Sequence, residues 1–247
     1  MRIDTYFTLP EIDPAVLLES TVVVIDVVRA TTSIVEALAN GAGGIYPTES
    51  TAEAVRLAQS LGREDTLLVG ERKGVKVEGF DLGNSPSEFT AEAVGGKKLV
   101  MSTTNGTRAL SAVSEASRLL VGAFTNLGAV AGASADDDAI VIVCAGRDGD
   151  FAIEDALCAG HLICRIADGA ASPLELNDAA RAAVVLAKSR KPSLAFFKVT
   201  KAGQAISDIG LASDLDVCGD VDRHDIVPVM NDNTITLLGD WRPLAER

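Results

Sequence analysis

The sequence predicts an α/β protein with helices on both faces of a largely parallel or mixed sheet, a three-layer α/β/α arrangement. Three observations support this prediction. Short β-branched, apolar runs alternate along the chain with helix-like segments. Ala, Val, Leu, Ile and Gly dominate, and aromatic residues make up 4% of the chain, which is typical of buried parallel strands covered by helices. Short polar segments follow four of the apolar runs, where a parallel sheet places its ligand-binding loops.

Two similar series of elements make up the first part of the chain. The first reads strand, helix, strand, helix, strand at residues 22–26, 31–40, 44–47, 50–61 and 67–69. The second repeats this order at 99–102, 106–115, 119–123, 126–133 and 139–144, displaced by about 75 residues. Glycine follows both helices of the first series, and Ser50 or Thr51 can cap the second of them. We therefore predict an internal duplication, with pseudo-repeats at about 20–72 and 97–150. The alternative is the ordinary alternation of any α/β chain.

The remainder, residues 151–247, is predicted as a helical portion that ends in a hairpin. Helices are expected at 153–167 and 173–189, and strands at 226–230 and 234–238 flank Asn231-Asp232-Asn233. Between the two series, residues 79–86 read Gly-Phe-Asp-Leu-Gly-Asn-Ser-Pro and have turn chemistry throughout. Such a segment in a compact domain is often a binding loop. We expect a single domain over residues 1–247.

Composition excludes several classes of function. The formal charge is −13, which repels nucleic acid and anionic membranes. No run approaches the roughly 20 apolar residues of a membrane span, and no signal peptide is visible. The four cysteines form no C-x-x-C pair and there are two His, so a structural zinc site is not expected. We expect a cytoplasmic protein with a small-molecule ligand; a homodimer is left open.

The polar segments carry the chemistry expected of a site for a phosphorylated acid and a divalent metal. Asp26 directly follows a β-branched strand, and a carboxylate there is a good Mg²⁺ ligand, although it can also be a turn residue or helix cap. Arg29 follows it. The segment Thr103-Thr-Asn-Gly-Thr107 offers small residues at a helix start, where backbone N–H groups can approach phosphate oxygens. An ordinary capped helix would look similar.

Acid and guanidinium side chains recur together at Glu71-Arg72 and Arg147-Asp148. A guanidinium can bind phosphate, carboxylate or sulfonate through two N–H groups, and the alternative is a surface salt bridge. Glu154 and Asp155 open the next helix, where they can favour the helix dipole or serve as a metal ligand or a base. Asp26 is followed by Val27 and Val28 rather than by the second acid of an Asp-x-Asp nucleophile, and Arg147 is only three residues after Cys144, too close for a Cys-x5-Arg loop. A metal-activated water is therefore the most economical attacking group.

Six motifs in the same order resemble the 2-phosphosulfolactate phosphatase family. They are Asp26-Val-Val-Arg-Ala-Thr-Thr-Ser, Gly70-Glu-Arg, Gly79-Phe-Asp-Leu-Gly-Asn-Ser-Pro, Thr103-Thr-Asn-Gly-Thr, Ala145-Gly-Arg, and Glu154-Asp155 with Cys158-Ala-Gly. The resemblance continues to Asp225-Ile-Val-Pro. It implies a Mg²⁺-dependent phosphatase that converts 2-phosphosulfolactate to 3-sulfolactate and phosphate, a step of coenzyme M biosynthesis.

Residues are assigned to roles within that expectation. Asp26, Glu154 and Arg29 are the candidate catalytic residues, with Glu154 as the base for water. The candidate metal ligands are Asp26, Glu71, Asp81 and Asp155. The candidate substrate-binding residues are Arg29, Arg72, Asn84, Thr103, Thr104, Asn105, Gly106, Thr107 and Arg147. The alternatives are a phosphatase of another small phosphorylated acid, a phosphosugar isomerase or phosphotransferase, and a non-catalytic anion-binding module.

Overall fold

The computed structural model describes residues 1–239, which contain eleven strands and eleven α-helices. The strands are β1 (Arg2–Tyr6), β2 (Thr21–Ile25), β3 (Gly44–Pro47), β4 (Thr66–Arg72), β5 (Val75–Lys76), β6 (Lys98–Ser102), β7 (Arg118–Gly122), β8 (Ala139–Cys144), β9 (Glu175–Leu176), β10 (Pro228–Asn231) and β11 (Thr234–Leu237). The helices are α1 (Pro14–Leu17), α2 (Ala30–Ala39), α3 (Thr51–Leu61), α4 (Ala91–Val94), α5 (Gly106–Ala112), α6 (Leu127–Ala133), α7 (Ile153–Gly169), α8 (Asp178–Ser189), α9 (Leu194–Phe197), α10 (Lys201–Asp208) and α11 (Asp214–Cys218).

The strands form one mixed sheet in the order β5-β4-β6-β3-β11-β10-β7-β2-β8-β1-β9. The β10–β11 hairpin lies in the middle and is antiparallel to β7 and β3. It separates two groups of parallel strands. In one group β6 lies between β4 and β3, and in the other β2 lies between β7 and β8. The first strand of each predicted repeat is thus inserted into the other repeat, and the order is symmetric about the hairpin. The duplication itself stays a prediction.

Helices cover both faces of the sheet, which confirms the predicted α/β class. Helices α6, α7 and α8 pack on the outer face of the β7-β2-β8-β1 group, and α3 packs on the outer face of β4 and β6. Helices α2 and α5 lie between the two parallel groups, where Ile34 and Leu110 share one buried cluster with Val24 of β2 and Leu99 of β6. The sheet therefore curves around two central helices.

Local sequence explains most of these elements. Strand β2 is β-branched at every position and fully buried, as expected for a central strand with packing on both faces. Helix α3 begins after Ser50, whose hydroxyl accepts a hydrogen bond from the backbone N–H of Glu53 at 3.2 Å. No helix in the described range is long and apolar enough to cross a membrane.

Several elements differ from the prediction, and the three differences that matter most for the site and the sheet are as follows. The helix expected at 173–189 begins at Asp178, because Asn177 caps it and Glu175–Leu176 joins the sheet as β9. Strand β1, which the sequence analysis missed, pairs in parallel with β8. Glu71 lies within β4 rather than in a loop after it. The last eight residues of the predicted 151–247 portion lie outside the described residues.

Candidate active site

A cavity of about 400 Å³ lies where the loops after several strands meet. It contains side chains from the segments after β2, β6 and β8, from the end of β4, and from the loop at 79–86. Its lining residues are Asp26, Val28, Arg29, Glu71, Lys73, Gly74, Asn84, Thr103, Thr104, Asn105, Arg147, Asp148, Ala205 and Ile206. As predicted from the sequence, the four polar segments that follow strand-like runs meet here.

The way in which they meet differs from the expectation. The carboxyl ends of β2 and β8 belong to one parallel group and those of β4 and β6 to the other, which runs in the opposite direction. A flat sheet would place the two sets of ends on opposite edges. Neighbouring strands are rotated by about 20–25°, so the five steps from β6 to β2 accumulate roughly 100–125°. This twist, together with the curvature around α2 and α5, lets the starts of those two helices meet.

Close contacts fix this junction. A Cβ added at Gly106, the first residue of α5, would clash with Cβ of Ala30 at the start of α2 and would lie 2.8 Å from Oδ2 of Asp26. The backbone N–H of Asp148, after β8, donates to Oδ1 of Asn105 at 3.0 Å. Glycine at position 106 is therefore required by the close approach of the two helices rather than by its dihedral angles.

Asp26 is a buried carboxylate with few hydrogen-bond partners. Its side chain is 6% exposed, and Oδ1 accepts a long hydrogen bond from the backbone N–H of Ala30 at 3.4 Å. Burial raises its pKa to about 7, and the charges of Glu71 and Glu154 add to this rise, whereas Arg29 opposes it. The backbone of Asp26 is held firmly, because its C=O accepts from both the N–H and the hydroxyl of Thr31 at 2.9 Å.

Glu71 joins the two loops beside it. Its Oε2 accepts from the N–H of Gly74 at 2.6 Å, and Oε1 accepts from the N–H of Thr104 at 2.7 Å. These charge-assisted hydrogen bonds orient the carboxylate. Each oxygen retains a second lone pair for a cation.

Arg29 is held in a buried network. Its Nη1 donates to Oδ2 of Asp214 at 2.7 Å and its Nη2 donates to the C=O of Gly74 at 2.7 Å. Ser85 donates to the other oxygen of Asp214 at 2.6 Å. Arg29 and Asp214 are 3% and 1% exposed, so the guanidinium is fixed in one place at the wall of the cavity. No local pattern in the sequence indicates Asp214, which lies 185 positions from Arg29.

Two polar atoms in the cavity wall have no hydrogen-bond partner within residues 1–239. They are Oδ1 of Asn84 and Oγ1 of Thr104, and both are buried. Buried polar atoms are rarely left without a partner, and an exception calls for a ligand or water. Thr103 and Thr107, by contrast, bond each other: the N–H of each donates to the hydroxyl of the other at 3.1 Å.

Cations line the same cavity as the carboxylates. Arg147 lies on the tight turn at 147–150, and Lys73 occupies a left-handed conformation with φ of 54°. Lys73 was not predicted; its position directly after Glu71-Arg72 was the available signal. Arg147 also lines a second cavity of about 450 Å³, which contains Glu154. Burial raises the pKa of Glu154, and hydrogen bonding to Thr200 and the charge of Arg147 oppose this rise.

Several predicted site residues have other partners. Arg72 donates to the C=O and hydroxyl of Ser102 at 3.0 and 2.8 Å and does not line the cavity. Asp81 pairs with Arg63 at 3.1 Å and accepts from the N–H of Leu68, because it closes the loop at 79–86 onto β4.

Asp155 also has a positioning role. Its two oxygens accept from the N–H groups of Val27 and Gly146 at 2.8 and 3.1 Å, which ties the loops after β2 and β8 together. Burial and the charges of Asp26 and Glu154 raise its pKa. Gly106 and Thr107 lie behind the cavity wall, where they shape the start of α5. These three positions, together with Asp81 and Arg72, therefore support the site from outside the cavity.

The predicted set of four metal ligands is not brought together. Within the described residues, no three His, Cys, Asp or Glu side chains are close enough to hold a metal by themselves. Asp26 and Glu71 do share the cavity, and Mg²⁺ that acts on phosphates is commonly held by one or two carboxylates plus the substrate and water. The buried Asp26 carboxylate with its single long hydrogen bond fits such a cation.

Comparison with known proteins extends these observations to nearly the whole chain. Residues 6–233 match the family model described as 2-phosphosulpholactate phosphatase. Among the relatives are two proteins named "Probable 2-phosphosulfolactate phosphatase". The one from Clostridium beijerinckii is 38% identical over 96% of this chain and 99% of its own length. The one from Caldanaerobacter subterraneus subsp. tengcongensis is 37% identical over 98% of this chain and 100% of its own. This chain therefore belongs to the 2-phosphosulfolactate phosphatase family.

Proposed function

We propose that this protein hydrolyses the phosphate ester of 2-phosphosulfolactate and releases 3-sulfolactate and inorganic phosphate, with Mg²⁺ as cofactor. The single observation that carries the proposal is the first cavity. There the buried carboxylates Asp26 and Glu71 share one cavity with Arg147 and Lys73, and polar atoms of Asn84 and Thr104 without a partner among residues 1–239 belong to its wall. The reaction is of the type used in coenzyme M biosynthesis.

The substrate carries a phosphate ester, a carboxylate and a sulfonate, so its recognition requires cations. Arg147 and Lys73 line the cavity, and neither is held in a buried ion pair as Arg29 is. We assign them to the carboxylate and the sulfonate, which a guanidinium and an ammonium bind well. Arg29, fixed by Asp214, presents positive charge at the phosphate end. The start of α5 adds its partial positive charge there.

Asp26 and Glu71 would hold the Mg²⁺. When bound, the ion would polarise the phosphate and lower the pKa of a coordinated water. Without a cation these two carboxylates would repel the phosphate. The cavity therefore favours a metal-dependent phosphatase over an anion-binding module that uses no metal. Glu154 remains our candidate to accept a proton from water, because a carboxylate with a raised pKa is a better base near neutral pH. Glu154 lines the second cavity, which shares Arg147 with the first cavity.

The test is phosphate release from synthetic 2-phosphosulfolactate by the purified protein, with sulfolactate identified by mass spectrometry. We expect turnover with Mg²⁺ and loss of turnover in EDTA that added Mg²⁺ restores. 2-Phospholactate and phosphoglycolate serve as comparison substrates. Faster hydrolysis of either one would assign the protein to another small phosphorylated acid. Binding of phosphate without any turnover, unchanged by EDTA, would make it an anion-binding module. Transfer to an acceptor without phosphate release would make it a phosphotransferase.

A further inference from the structure

The second cavity adjoins the proposed catalytic one, and apart from the candidate base Glu154 its lining has no role in the reaction as described so far. It measures about 450 Å³ and lies between the start of α7 and the start of α10. Its lining residues are Arg147, Asp150, Phe151, Ala152, Ile153, Glu154, Val199, Thr200, Lys201 and Ala202. Arg147 lines both cavities, so the two spaces adjoin across one side chain.

The wall of this cavity is unusually apolar for an exposed position. Phe151, Ile153 and Val199 are 49%, 37% and 71% exposed. They are three of the ten exposed large apolar side chains among the described residues, and all three face the same cavity. Exposed apolar side chains gathered around a concavity are typical of a ligand-binding surface.

The charges of the second cavity favour a neutral group. Its lining contains two cationic side chains, Arg147 and Lys201, and two acidic ones, Asp150 and Glu154. Their formal charges therefore sum to zero. The buried carboxyl of Glu154, 4% exposed, would repel a sulfonate or a second phosphate. An apolar substituent would instead displace water from Phe151, Ile153 and Val199, at about 25 cal/mol for each Å² of apolar surface removed from water.

The first cavity alone is large enough for a three-carbon acid with its phosphate, since ligand cavities for much larger, drug-sized molecules begin at about 300 Å³. The adjoining space is therefore available to a substrate that continues beyond Arg147. We propose that the second cavity binds an apolar substituent of a larger phosphorylated 2-hydroxy acid, so that the protein also hydrolyses esters such as 2-phospho-3-phenyllactate. This inference rests on the proposed phosphatase function.

The experiment compares 2-phospho-3-phenyllactate with 2-phospholactate in the wild type and in Val199→Trp, which would fill the second cavity. The matched control is Val185→Trp on α8, at a position 68% exposed that does not line the cavity. We expect the wild type to hydrolyse the phenyl ester with a kcat/KM at least equal to that for 2-phospholactate. Val199→Trp should lower the ratio of the two values at least tenfold, and Val185→Trp should leave the ratio unchanged.

A binding measurement complements the kinetics. The product 3-phenyllactate should inhibit the wild type more strongly than lactate, and Val199→Trp should remove this difference. If Val199→Trp leaves the ratio of the two kcat/KM values unchanged, whether or not both values fall, the inference is overturned. If the wild type hydrolyses 2-phosphosulfolactate but not the phenyl ester, the role proposed for the second cavity is wrong while the proposed function stands. If neither ester nor 2-phosphosulfolactate releases phosphate, the proposed function itself fails.

Discussion

Replacement of Asp26 by Asn should stabilise the folded protein at alkaline pH while it abolishes turnover. Burial and neighbouring acids raise the pKa of Asp26 from an ordinary value of 3.8 to about 7. Because its pKa is higher in the folded state than in the unfolded state, the folded protein binds the proton more tightly. The stability that this proton provides is complete below pH 4 and is lost as the pH rises through 7.

The size of the effect follows from the two pKa values. They differ by about three, and each tenfold change in proton affinity corresponds to about 1.4 kcal/mol, so ionised Asp26 costs up to about 4 kcal/mol above pH 7. Asn has nearly the same shape and no charge. The variant should therefore match the wild type at pH 4 and exceed its free energy of unfolding by up to about 4 kcal/mol at pH 8.

Urea unfolding in EDTA, followed by circular dichroism at pH 4 and pH 8, measures this difference. The control is Asp168→Asn, an exposed position on α7, which should change the free energy of unfolding by the same amount at both pH values. Phosphate release by Asp26→Asn should fall at least about a hundredfold. A variant no more stable than the wild type at pH 8 would refute the burial argument, and near-normal turnover would remove Asp26 from the mechanism.

Three further predictions concern the same junction. At pH 8, Mg²⁺ should raise the melting temperature of the wild type but not of Asp26→Asn; equal shifts in both would exclude Asp26 as a ligand. Gly106→Ala should lose about 1–3 kcal/mol of stability by calorimetry, whereas Gly169→Ala, in α7 where an added Cβ meets nothing within 4 Å, should gain up to about 1 kcal/mol because Ala is the better helix former. Asp214→Asn should cost about 3–5 kcal/mol in urea unfolding because it leaves the charge of Arg29 buried and unpaired, and a cost below about 1 kcal/mol would show that water reaches the pair.

The sequence was sufficient for the α/β class and for most strands and helices, because periodicity and capping are local properties. Strand β1 was missed because Arg2, Asp4 and Thr5 make it look polar, although it is buried on alternate residues between β8 and β9. The sheet order could not be foreseen. It depends on the exchange of β2 and β6 between the two halves, which is decided by packing over the whole molecule.

The site was predicted only in part, because local sequence signals can be recognised and long-range pairings cannot. Asp26, Glu71 and Arg147 stand at or near strand ends, which is a local signal, and the structure brings them to one cavity. Asp81 looks equally suitable in the sequence, but its nearest cation is Arg63, a partner eighteen positions away. Similarly, Asp214 acquires its role through Arg29, 185 positions distant. Such pairings are properties of the folded chain and leave no local trace.

The central place of the β10–β11 hairpin has a consequence for biosynthesis. Residues 228–237 are the last strands of the described chain to leave the ribosome, yet they lie between β3 and β7 at the middle of the sheet. Until they emerge, the two parallel groups expose unpaired edges at the strands they will later join, and such edges invite wrong pairing. A nascent chain stalled before residue 228 would therefore be prone to aggregate, and dependence on chaperones should be greatest just before residues 228–237 emerge.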